Sequence, residues 1–515
     1  MSIQENYWQQ SLCAESRPQP NLLVVFGASG DLARRKLLPA LFQLFRRGLL
    51  HEHSYIIGCA RSDVKQSRFF DGFLEFLPEE EPEQIEIFQR RLSYVQLDYD
   101  EQAGYERLAE HIDALQSQIG RQLNHLFYLA TPATLYAQIV PRLHSSGLSQ
   151  EVYSGKPWRH VVLEKPFGSD LESAENLDRM LHKSLHERQI YRIDHYLGKE
   201  TVQNILMLRF ANIVFEPLWN SNFIEHVQIT AAESVGLEQR AGYYDGAGQL
   251  RDMFQNHMLA MLSLVAMEPP AQFEPEAMRD EQLKLMRAIR PLPINEIDKY
   301  LLRAQYTAGS KDGLSLPAYL EEENVPPDSK TETYVAAKLF IDNWRWRGVP
   351  FYLRSGKRLS RKLSEIAITF KKPPHSIFAQ LDMDSLKENQ LVLNVQPEEG
   401  MSLAIQAKQP GSKLCMGSLN LEFSYAKQFG AQIPDAYERL LLDCMLGDQT
   451  LFIRSDVIAE AWKLLTPVLQ AWQKSDSLKQ YDCPCALQYY QAGSEGPEAA
   501  VQMFAGWRPL RATKG

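Results

Sequence analysis

The feature that most constrains the fold is a continuous apolar run, Asn21 to Phe26 (NLLVVF), that ends at a glycine and leads straight into a helical pattern. A short apolar run bounded by glycine is typical of a strand buried on both faces of a parallel sheet. The following stretch, Leu32 to Arg47, has its leucines at helical spacing. The sequence therefore predicts strand, turn and helix as the first unit of an α/β domain.

The rest of the chain divides into two textures near residue 200. Before it, buried-strand runs recur with helical segments between them: Tyr55 to Cys59, Leu123 to Ala130 and His160 to Leu163. After it, the predicted strands are short and several alternate in polarity: Val227 to Ala231, Tyr334 to Ile341, Ile366 to Phe370, Leu391 to Val395, Ser402 to Ala407 and Ser418 to Phe423. This predicts α/β + α+β: an N-terminal Rossmann-like dinucleotide-binding domain, then a larger domain with a mainly antiparallel sheet covered by helices.

A chain of 515 residues is long for a single core, so we expect a polar arm over 1–20, one domain over 21–199 and a second over 200–515. The formal charge of −9 gives no electrostatic case for nucleic acid or an anionic membrane, and a site for a phosphorylated ligand must gather positive charge locally. The start shows no secretory signal and no apolar stretch is long enough for a membrane helix. Six scattered cysteines are typical of reduced thiols, so we expect a cytoplasmic protein.

The turn after the first predicted strand is a GxxGxxA variant of the dinucleotide fingerprint. Its glycines permit a tight turn and a close approach of pyrophosphate, and the helix N-terminus favours the anion. A glycine turn in isolation also serves ordinary strand-to-helix connections. The candidate cofactor-binding residues are Gly27, Ala28, Ser29, Gly30, Asp31 and Leu32.

Two further positions concern the cofactor. Arg61 follows the second predicted strand, where an arginine suits the 2′-phosphate of NADP and an acid would suit NAD. NADP is therefore favoured; the neighbouring Asp63 keeps weaker use of NAD open, and Arg61 could also be an ordinary exposed charge. Lys165, in the segment Glu-Lys-Pro-Phe-Gly, follows another strand at the edge where ligands gather. We expect it to meet both cofactor and substrate, although a surface turn is the plain alternative.

A polar segment, Arg-Ile-Asp-His-Tyr-Leu-Gly-Lys-Glu over 192–200, lies at the predicted domain boundary. His195, Tyr196 and Lys199 supply the donors and positive charge that a phosphate dianion needs. His195 and Lys199 are four apart, and would share a helical face if a helix begins here. A salt-bridged interdomain linker is the alternative interpretation.

Together GASGDLARRK, EKPFG, RIDHYLGKE and AGYYDGAGQLRDMFQNH resemble the glucose-6-phosphate dehydrogenases of the bacterial type, in the same order and from about residue 21 into the C-terminal DAYERLLLDCMLGDQTLF. The resemblance implies oxidation of glucose 6-phosphate to 6-phosphoglucono-δ-lactone with NADP, as the entry step of the oxidative pentose phosphate pathway. It also implies a homodimer or homotetramer. It implies no metal, and no cluster with ligand spacing predicts one.

The resemblance also implies roles for individual residues. His257 corresponds to the general base and Asp194 to the carboxylate that orients its imidazole. This pairing suits the chemistry, because a carboxylate partner fixes the tautomer and raises the basicity. The substrate-binding residues implied are His195, Tyr196, Lys199, Glu233, Asp252, Lys357 and Lys362, to which Lys165 is added from its position after a strand of the sheet.

Each of these positions also has a plainer interpretation. His257 would by itself be a satisfied core histidine, and Lys357 to Lys362 a solvated basic loop. Asp252 and His257 are five apart, about 140° on an α-helix, so we expect the sugar to contact a broad flank of that helix. Two rival functions remain: a sugar dehydrogenase of the glucose–fructose oxidoreductase type, and a catalytically silent subunit that binds sugar phosphate.

Overall fold

The computed structural model describes residues 16–62, 74, 76, 82–151, 156–237, 241–375, 377, 387–411, 415–429, 434–478 and 485–510. The chain forms two compact units. The first comprises Met1–Phe167, Asn176–His195 and Pro434–Arg454, and the second comprises Gly168–Glu175, Tyr196–Ile433 and Ser455–Gly515. Asp63 and most of the predicted N-terminal arm lie outside the described residues.

The helical elements include two π-helical segments. The α-helices are α1 (Leu38–Arg46), α2 (Pro82–Gln89), α3 (Gln102–Ile119), α4 (Tyr136–Ser145), α5 (Leu171–His182), α6 (Glu200–Phe210), α7 (Ala241–Gln249), α8 (Leu259–Ala266), α9 (Pro275–Ala288), α10 (Tyr425–Phe429), α11 (Ala436–Leu446), α12 (Ser455–Leu478) and α13 (Glu498–Met503). The N-terminal π-helix (Ala33–Leu37) precedes α1, and the central π-helix (Leu250–Met258) precedes α8. Short 3₁₀ segments cover Ala133–Leu135, Glu187–Gln189, Glu216–Leu218, Ile294–Lys299 and Tyr319–Glu321.

A six-stranded parallel sheet forms the centre of the first unit. Its strands are β1 (Asn21–Phe26), β2 (Ser54–Ala60), β3 (Leu92–Gln96), β4 (Asn124–Leu129), β5 (Arg159–Leu163) and β6 (Ile190–Arg192). Their order across the sheet is β3-β2-β1-β4-β5-β6, the 3-2-1-4-5-6 order of a dinucleotide-binding fold. All six residues of β1 are buried, as the apolar run predicts, because β2 and β4 pair with it on both sides.

A late segment of the chain returns to the first unit. Asp435 caps α11 by accepting the Tyr437 N–H at 2.9 Å. The carbonyl of Cys444 in α11 lies 3.0 Å from His160 Nδ1 on β5, and the His160 ring stacks on Trp158 with ring centroids 4.0 Å apart. These contacts bind residues 434–454 to the parallel sheet of this unit.

The second unit is built on a nine-stranded sheet. Its strands are β7 (Ile224–Ala232), β8 (Leu301–Thr307), β11 (Tyr334–Phe340), β12 (Pro350–Gly356), β13 (Leu363–Phe370), β14 (Gln390–Gln396), β15 (Gly400–Lys408), β16 (Met416–Ser424) and β17 (Gln488–Gln491), with β9 (Gly309–Lys311) and β10 (Leu314–Leu316) forming a separate hairpin. The order is β16-β15-β14-β13-β7-β12-β11-β8-β17. Pairing is antiparallel except for β7 with β12 and β8 with β17, so the sheet is mainly antiparallel, as predicted.

Buried polar groups of the second unit hold the C-terminal end of α8. Trp219 Nε1 donates to the Val265 carbonyl and Trp346 Nε1 to the Ala266 carbonyl, each at 2.7 Å. The fully buried Arg209 donates to the carbonyls of Leu264 and Met267. The last carbonyls of a helix accept no hydrogen bond from an N–H of the same helix. These three side chains therefore supply donors to carbonyls that would otherwise be buried and unpaired.

Candidate active site

The turn after β1 is held by the ends of three strands. Gly27 donates its N–H to the Cys59 carbonyl at 2.9 Å and to the Tyr99 hydroxyl at 3.0 Å. Its φ is +83°, and a Cβ at this position would lie 2.6 Å from the Ala130 carbonyl oxygen beyond β4. Both facts require glycine. Gly30 closes the turn by donating to the Gly27 carbonyl at 2.8 Å.

The predicted cofactor residues line the start of the first helical segment. Ala28 is buried, whereas Ser29 and Asp31 are exposed and Leu32 is half-buried. The helical path begins at Asp31 and continues as the N-terminal π-helix, which has no side-chain cap. The Asp31 carboxylate pairs with Arg35 at 2.6 Å, and the N–H groups at a helix start favour a bound anion.

Two more predicted residues follow strands of the same sheet. Arg61 is exposed directly after β2, and its carbonyl accepts a hydrogen bond from Gln96 Nε2 at 3.0 Å. Lys165 is half-buried, two residues beyond β5, and its peptide bond to Pro166 is cis. Both lie at the carboxyl edge of the parallel sheet, where ligands bind in this architecture.

The residue before Lys165 is bound more closely than the sequence suggests. Glu164 Oε1 accepts hydrogen bonds from the Tyr128 hydroxyl at 2.5 Å and the Tyr437 hydroxyl at 3.3 Å. Its backbone exchanges two further bonds with the Tyr136 hydroxyl. Burial raises the pKa of Glu164, while the bond from Tyr128 and the charge of Lys165 oppose that shift. Three tyrosines from distant parts of the chain thus fix the segment that carries Lys165.

The segment 192–200 is a turn and not a helical face. Asp194 is buried and His195 half-buried in the first unit, after β6. The helix α6 begins only at Glu200, so the condition under which His195 and Lys199 would share a helical face is not met. The turn is closed by the Lys199 N–H, which donates to the Tyr196 carbonyl at 3.2 Å.

In the second unit, Tyr196 and Lys199 belong to one polar cluster. Lys199 Nζ donates to Gln396 Oε1 at 2.7 Å and lies 5.1 Å from the Tyr196 ring centroid. Gln396 Nε2 donates to Ser364 Oγ at 2.8 Å and to the Tyr196 hydroxyl at 3.3 Å. Gln396 and Ser364 were not predicted as site residues. No local sequence pattern predicts these two residues as part of the site, because the pairing of β13 with β14 brings them together.

The same Tyr196 ring also contacts the predicted base. Its centroid lies 4.4 Å from that of the His257 imidazole, with the two rings stacked. His257 is fully buried, and its backbone N–H donates to Asn256 Oδ1 at 2.6 Å. Asp252, on the same helical segment, is half-buried.

The spacing argument for Asp252 and His257 was wrong, since it assumed an α-helix. Residues 250–258 form a π-helix, in which hydrogen bonds run from residue i to i+5. Residues five apart are then neighbours on successive turns rather than about 140° apart. Asp252 and His257 therefore lie near one face of the central π-helix, and no broad flank is needed.

A partly buried ion pair joins two other predicted residues. Lys357 Nζ donates to Glu233 Oε2 at 2.6 Å and lies 4.9 Å from the Tyr244 ring centroid. Glu233 follows β7 and Lys357 follows β12, and these strands are parallel with Ala232 opposite Gly356. The two residues are therefore adjacent at the same end of the sheet. Lys362 is exposed, just before β13.

The 3-2-1-4-5-6 order of the parallel sheet and the glycine turn at its centre define the class of dinucleotide-binding proteins. Comparison with known proteins specifies this class further. Residues 24–204 match the family model described as glucose-6-phosphate dehydrogenase, NAD binding domain, and residues 206–508 match the model for the C-terminal domain of the same family. The chain belongs to the glucose-6-phosphate dehydrogenase family.

Individual relatives agree along nearly the whole chain. The chain is 45% identical to a glucose-6-phosphate 1-dehydrogenase of Aggregatibacter actinomycetemcomitans, over 94% of this chain and 95% of that protein. It is 41% identical to a glucose-6-phosphate 1-dehydrogenase of Chlamydia pneumoniae, over 95% and 96%. A solved glucose-6-phosphate dehydrogenase in complex with glucose 6-phosphate matches with a TM-score of 0.87 and 35% identity, over 97% of this chain and 100% of that one.

Family membership confirms the predicted fold class, the predicted oxidoreductase class and the predicted cofactor, NADP. The roles of individual residues remain predictions. Among the described residues, no helix combines the length and the apolar character that crossing a bilayer would require.

Proposed function

We propose that this chain oxidises D-glucose 6-phosphate at C1 and transfers the hydride to NADP, with 6-phosphoglucono-δ-lactone as the product. NADP, when bound, accepts the hydride. His257 takes the proton of the C1 hydroxyl, and Asp194 orients the imidazole and stabilises its charged form. His195, Tyr196 and Lys199 bind the phosphate, Glu233 and Asp252 accept hydrogen bonds from sugar hydroxyls, and Lys357, Lys362 and Lys165 supply further contacts.

The position of Tyr196 carries this proposal. Its hydroxyl belongs to the cluster of Lys199, Gln396 and Ser364, while its ring stacks on the His257 imidazole at 4.4 Å. A phosphate held by Lys199 would therefore be one side chain away from the base. Glucose 6-phosphate carries its phosphate and its C1 hydroxyl on opposite sides of the ring oxygen, so an anion site beside a base suits it. We add Gln396 to the proposed phosphate-binding residues, because its Oε1 accepts a hydrogen bond from Lys199 Nζ and orients that ammonium.

Chain connectivity supports the pairing of Asp194 with His257. Asp194 is two residues from Tyr196, so the two Cα atoms are at most about 7 Å apart. Tyr196 in turn contacts His257 within the second unit. Asp194 is buried, and a buried carboxylate stabilises a positive charge more strongly than an exposed one. This suits an imidazole that gains charge during the reaction.

The residues of the glycine turn fit a dinucleotide. Any Cβ at Gly27 would meet the Ala130 carbonyl oxygen, so only glycine keeps this tight turn, which a dinucleotide-binding fold needs for the close approach of pyrophosphate. Exposed Arg61 beyond β2 is our proposed contact for the 2′-phosphate and the basis of a preference for NADP over NAD. We keep 21–199 as the proposed cofactor domain and 200–515 as the proposed substrate and oligomerisation domain, except that Gly168–Glu175 belongs to the second compact unit and Pro434–Arg454 to the first.

The reaction is tested by the absorbance of NADPH at 340 nm with purified protein and glucose 6-phosphate. We expect reduction of NADP by the wild type and loss of at least ~100-fold in kcat for His257→Asn, the range of general base catalysis. His226→Asn is the matched control: His226 is a half-buried histidine on β7 of the same unit, and this variant should retain activity. Retained activity in His257→Asn would contradict the assignment of the base.

Substrate controls separate the rival functions. Equal rates with plain glucose would favour a sugar dehydrogenase of the glucose–fructose oxidoreductase type. Lys199→Gln should raise KM for glucose 6-phosphate while leaving KM for NADP unchanged. No reduction by folded wild-type protein with either cofactor would favour a silent binding subunit.

We further propose a cytoplasmic homodimer or homotetramer. Cys59 and Cys444 are free thiols, and burial raises the pKa of both, which disfavours the reactive thiolate. Leu419 and Leu421 are about half exposed on the edge strand β16. Apolar side chains on an edge strand favour association through the large sheet. Light scattering would measure the oligomeric state.

A further inference from the structure

Glu332 lies two residues before β11 and binds the start of the central π-helix with two acceptors. Its main-chain carbonyl accepts the Gln249 N–H at 3.0 Å, and its carboxylate Oε1 accepts the Leu250 N–H at 3.0 Å. Leu250 is the first residue of this helix. The first N–H groups of a π-helix have no acceptor within it, because each bond spans five residues. Glu332, 82 positions from Leu250 in the sequence, therefore supplies the acceptor that the helix itself cannot provide for the Leu250 N–H.

The backbone beside this contact is shaped to admit the carboxylate. Gly248 has φ +72° and ψ 172°, a conformation that breaks the helical path between α7 and the central π-helix. A Cβ at Gly248 would overlap the Glu332 carboxylate. Glycine is therefore required twice, once for its φ and once for the space that Glu332 fills.

The residue next to Glu332 holds a second part of the proposed site. The Thr333 carbonyl accepts the Lys357 N–H at 2.9 Å, and Lys357 Nζ is paired with Glu233. One dipeptide thus fixes the backbone on which Lys357 lies and the start of the helix on which Asp252 and His257 lie. A shift of this dipeptide would move both together.

Keeping a carboxylate at this place is costly. Glu332 is 5% exposed, and burial raises its pKa, although the bond from Leu250 and the charges of Arg251 and Arg303 oppose the shift. A neutral residue would avoid that desolvation cost. An apolar residue at this position could not accept the hydrogen bond from the Leu250 N–H.

We propose that Glu332 is a positioning residue for the dehydrogenase reaction: its carboxylate oxygen sets the start of the central π-helix and thereby the placement of Asp252 and His257. This inference rests on the proposed function for its kinetic consequence. Its structural core, the anchoring of residues 250–258 by Glu332, is independent of any activity.

Two variants of Glu332 separate the effect of side-chain length from the effect of its negative charge. Glu332→Gln keeps the oxygen at the same reach and removes the charge, so kcat should stay within about threefold of the wild type. Glu332→Asp keeps the charge and is shorter by one methylene, so kcat should fall on the order of 10- to 100-fold, as for a displacement near 1 Å at reacting groups. KM for NADP should be unchanged in both. Glu365→Asp, at a buried carboxylate paired with Arg508, is the matched control and should retain kcat.

Hydrogen–deuterium exchange of the peptide over 250–258 gives a readout that needs no activity. Protection should match the wild type in Glu332→Gln and fall in Glu332→Asp. Gly248→Ala, which displaces the carboxylate from the other side, should behave as Glu332→Asp and replaces it if that variant does not fold. Wild-type kcat and protection in both Glu332→Asp and Gly248→Ala would overturn the inference, as would equal loss in Glu332→Gln and Glu332→Asp. A wild type that forms no NADPH would instead refute the proposed function, and exchange would still decide the anchoring.

Discussion

Substitution of Gly27 by alanine tests whether the glycine turn is shaped for the cofactor. Alanine at φ +83° costs roughly 1–2 kcal/mol, the penalty of the left-handed region for a residue with a Cβ. That Cβ would also lie 2.6 Å from the Ala130 carbonyl oxygen, whereas non-bonded atoms prefer about 3.5 Å. The turn must therefore move by about 1 Å relative to the end of β4. Because a displacement of about 1 Å at a binding turn can cost as much as ~100-fold, we expect KM for NADP to rise at least tenfold.

Gly120→Ala is the matched control for this substitution. Gly120 has φ +69° at the C-terminal end of α3, and a Cβ there meets nothing within 4 Å. It carries the same backbone penalty without the collision, so it should lower the thermal midpoint and leave KM for NADP unchanged. KM for glucose 6-phosphate should stay close to the wild-type value in both variants. An equal KM for NADP in the two variants would refute the reasoning that the turn's position matters.

Three other predictions concern stability and cofactor choice. Burial lowers the pKa of His160 to about 4, below the value of 6.5 in the unfolded chain, so the unfolded chain binds the proton first as pH falls. The free energy of unfolding should therefore decrease by roughly 2–3 kcal/mol between pH 6.5 and pH 4. Urea unfolding of His160→Phe should show a smaller decrease over the same pH range. Trp346→Phe should lower the free energy of unfolding in urea by about 1–3 kcal/mol, because it leaves the Ala266 carbonyl unpaired. Trp344→Phe, at a fully exposed side chain, should change it very little. Equal effects of the two variants would contradict the capping role of Trp346. Arg61→Gln should weaken the binding of NADP by about 10- to 100-fold, the size of a lost charged hydrogen bond, and should leave the binding of NAD nearly unchanged. An equal loss of affinity for both cofactors would refute the role of Arg61.

The cofactor half was predictable because its signals are local. The run that forms β1 is apolar at every position but the first, and the glycine that ends it is required by its own φ. Each of these facts depends on residues that are neighbours in sequence. Family resemblance then named the residues of the second half, whose signals are mostly not local.

The central strand β12 illustrates why pattern alone was insufficient in the second unit. It carries the buried Arg354, whose Nε donates to Thr230 Oγ1 at 3.1 Å and whose guanidinium also contacts the Arg508 carbonyl. A charged residue argues against a central strand unless its partners are known. Those partners lie more than 120 residues away, so no local pattern predicts this strand.

The misjudged geometry of Asp252 and His257 has the same origin. The sequence does not distinguish α from π spacing over residues 250–258, and the acceptor that Glu332 supplies at their start is equally nonlocal. Trp219, Trp346 and Arg209 satisfy the carbonyls at the far end of α8, which continues the same helical path. A helix held at both ends cannot slide along its axis without leaving buried polar groups unpaired. His257 lies between these two anchors, so changes at either end should reach the proposed base.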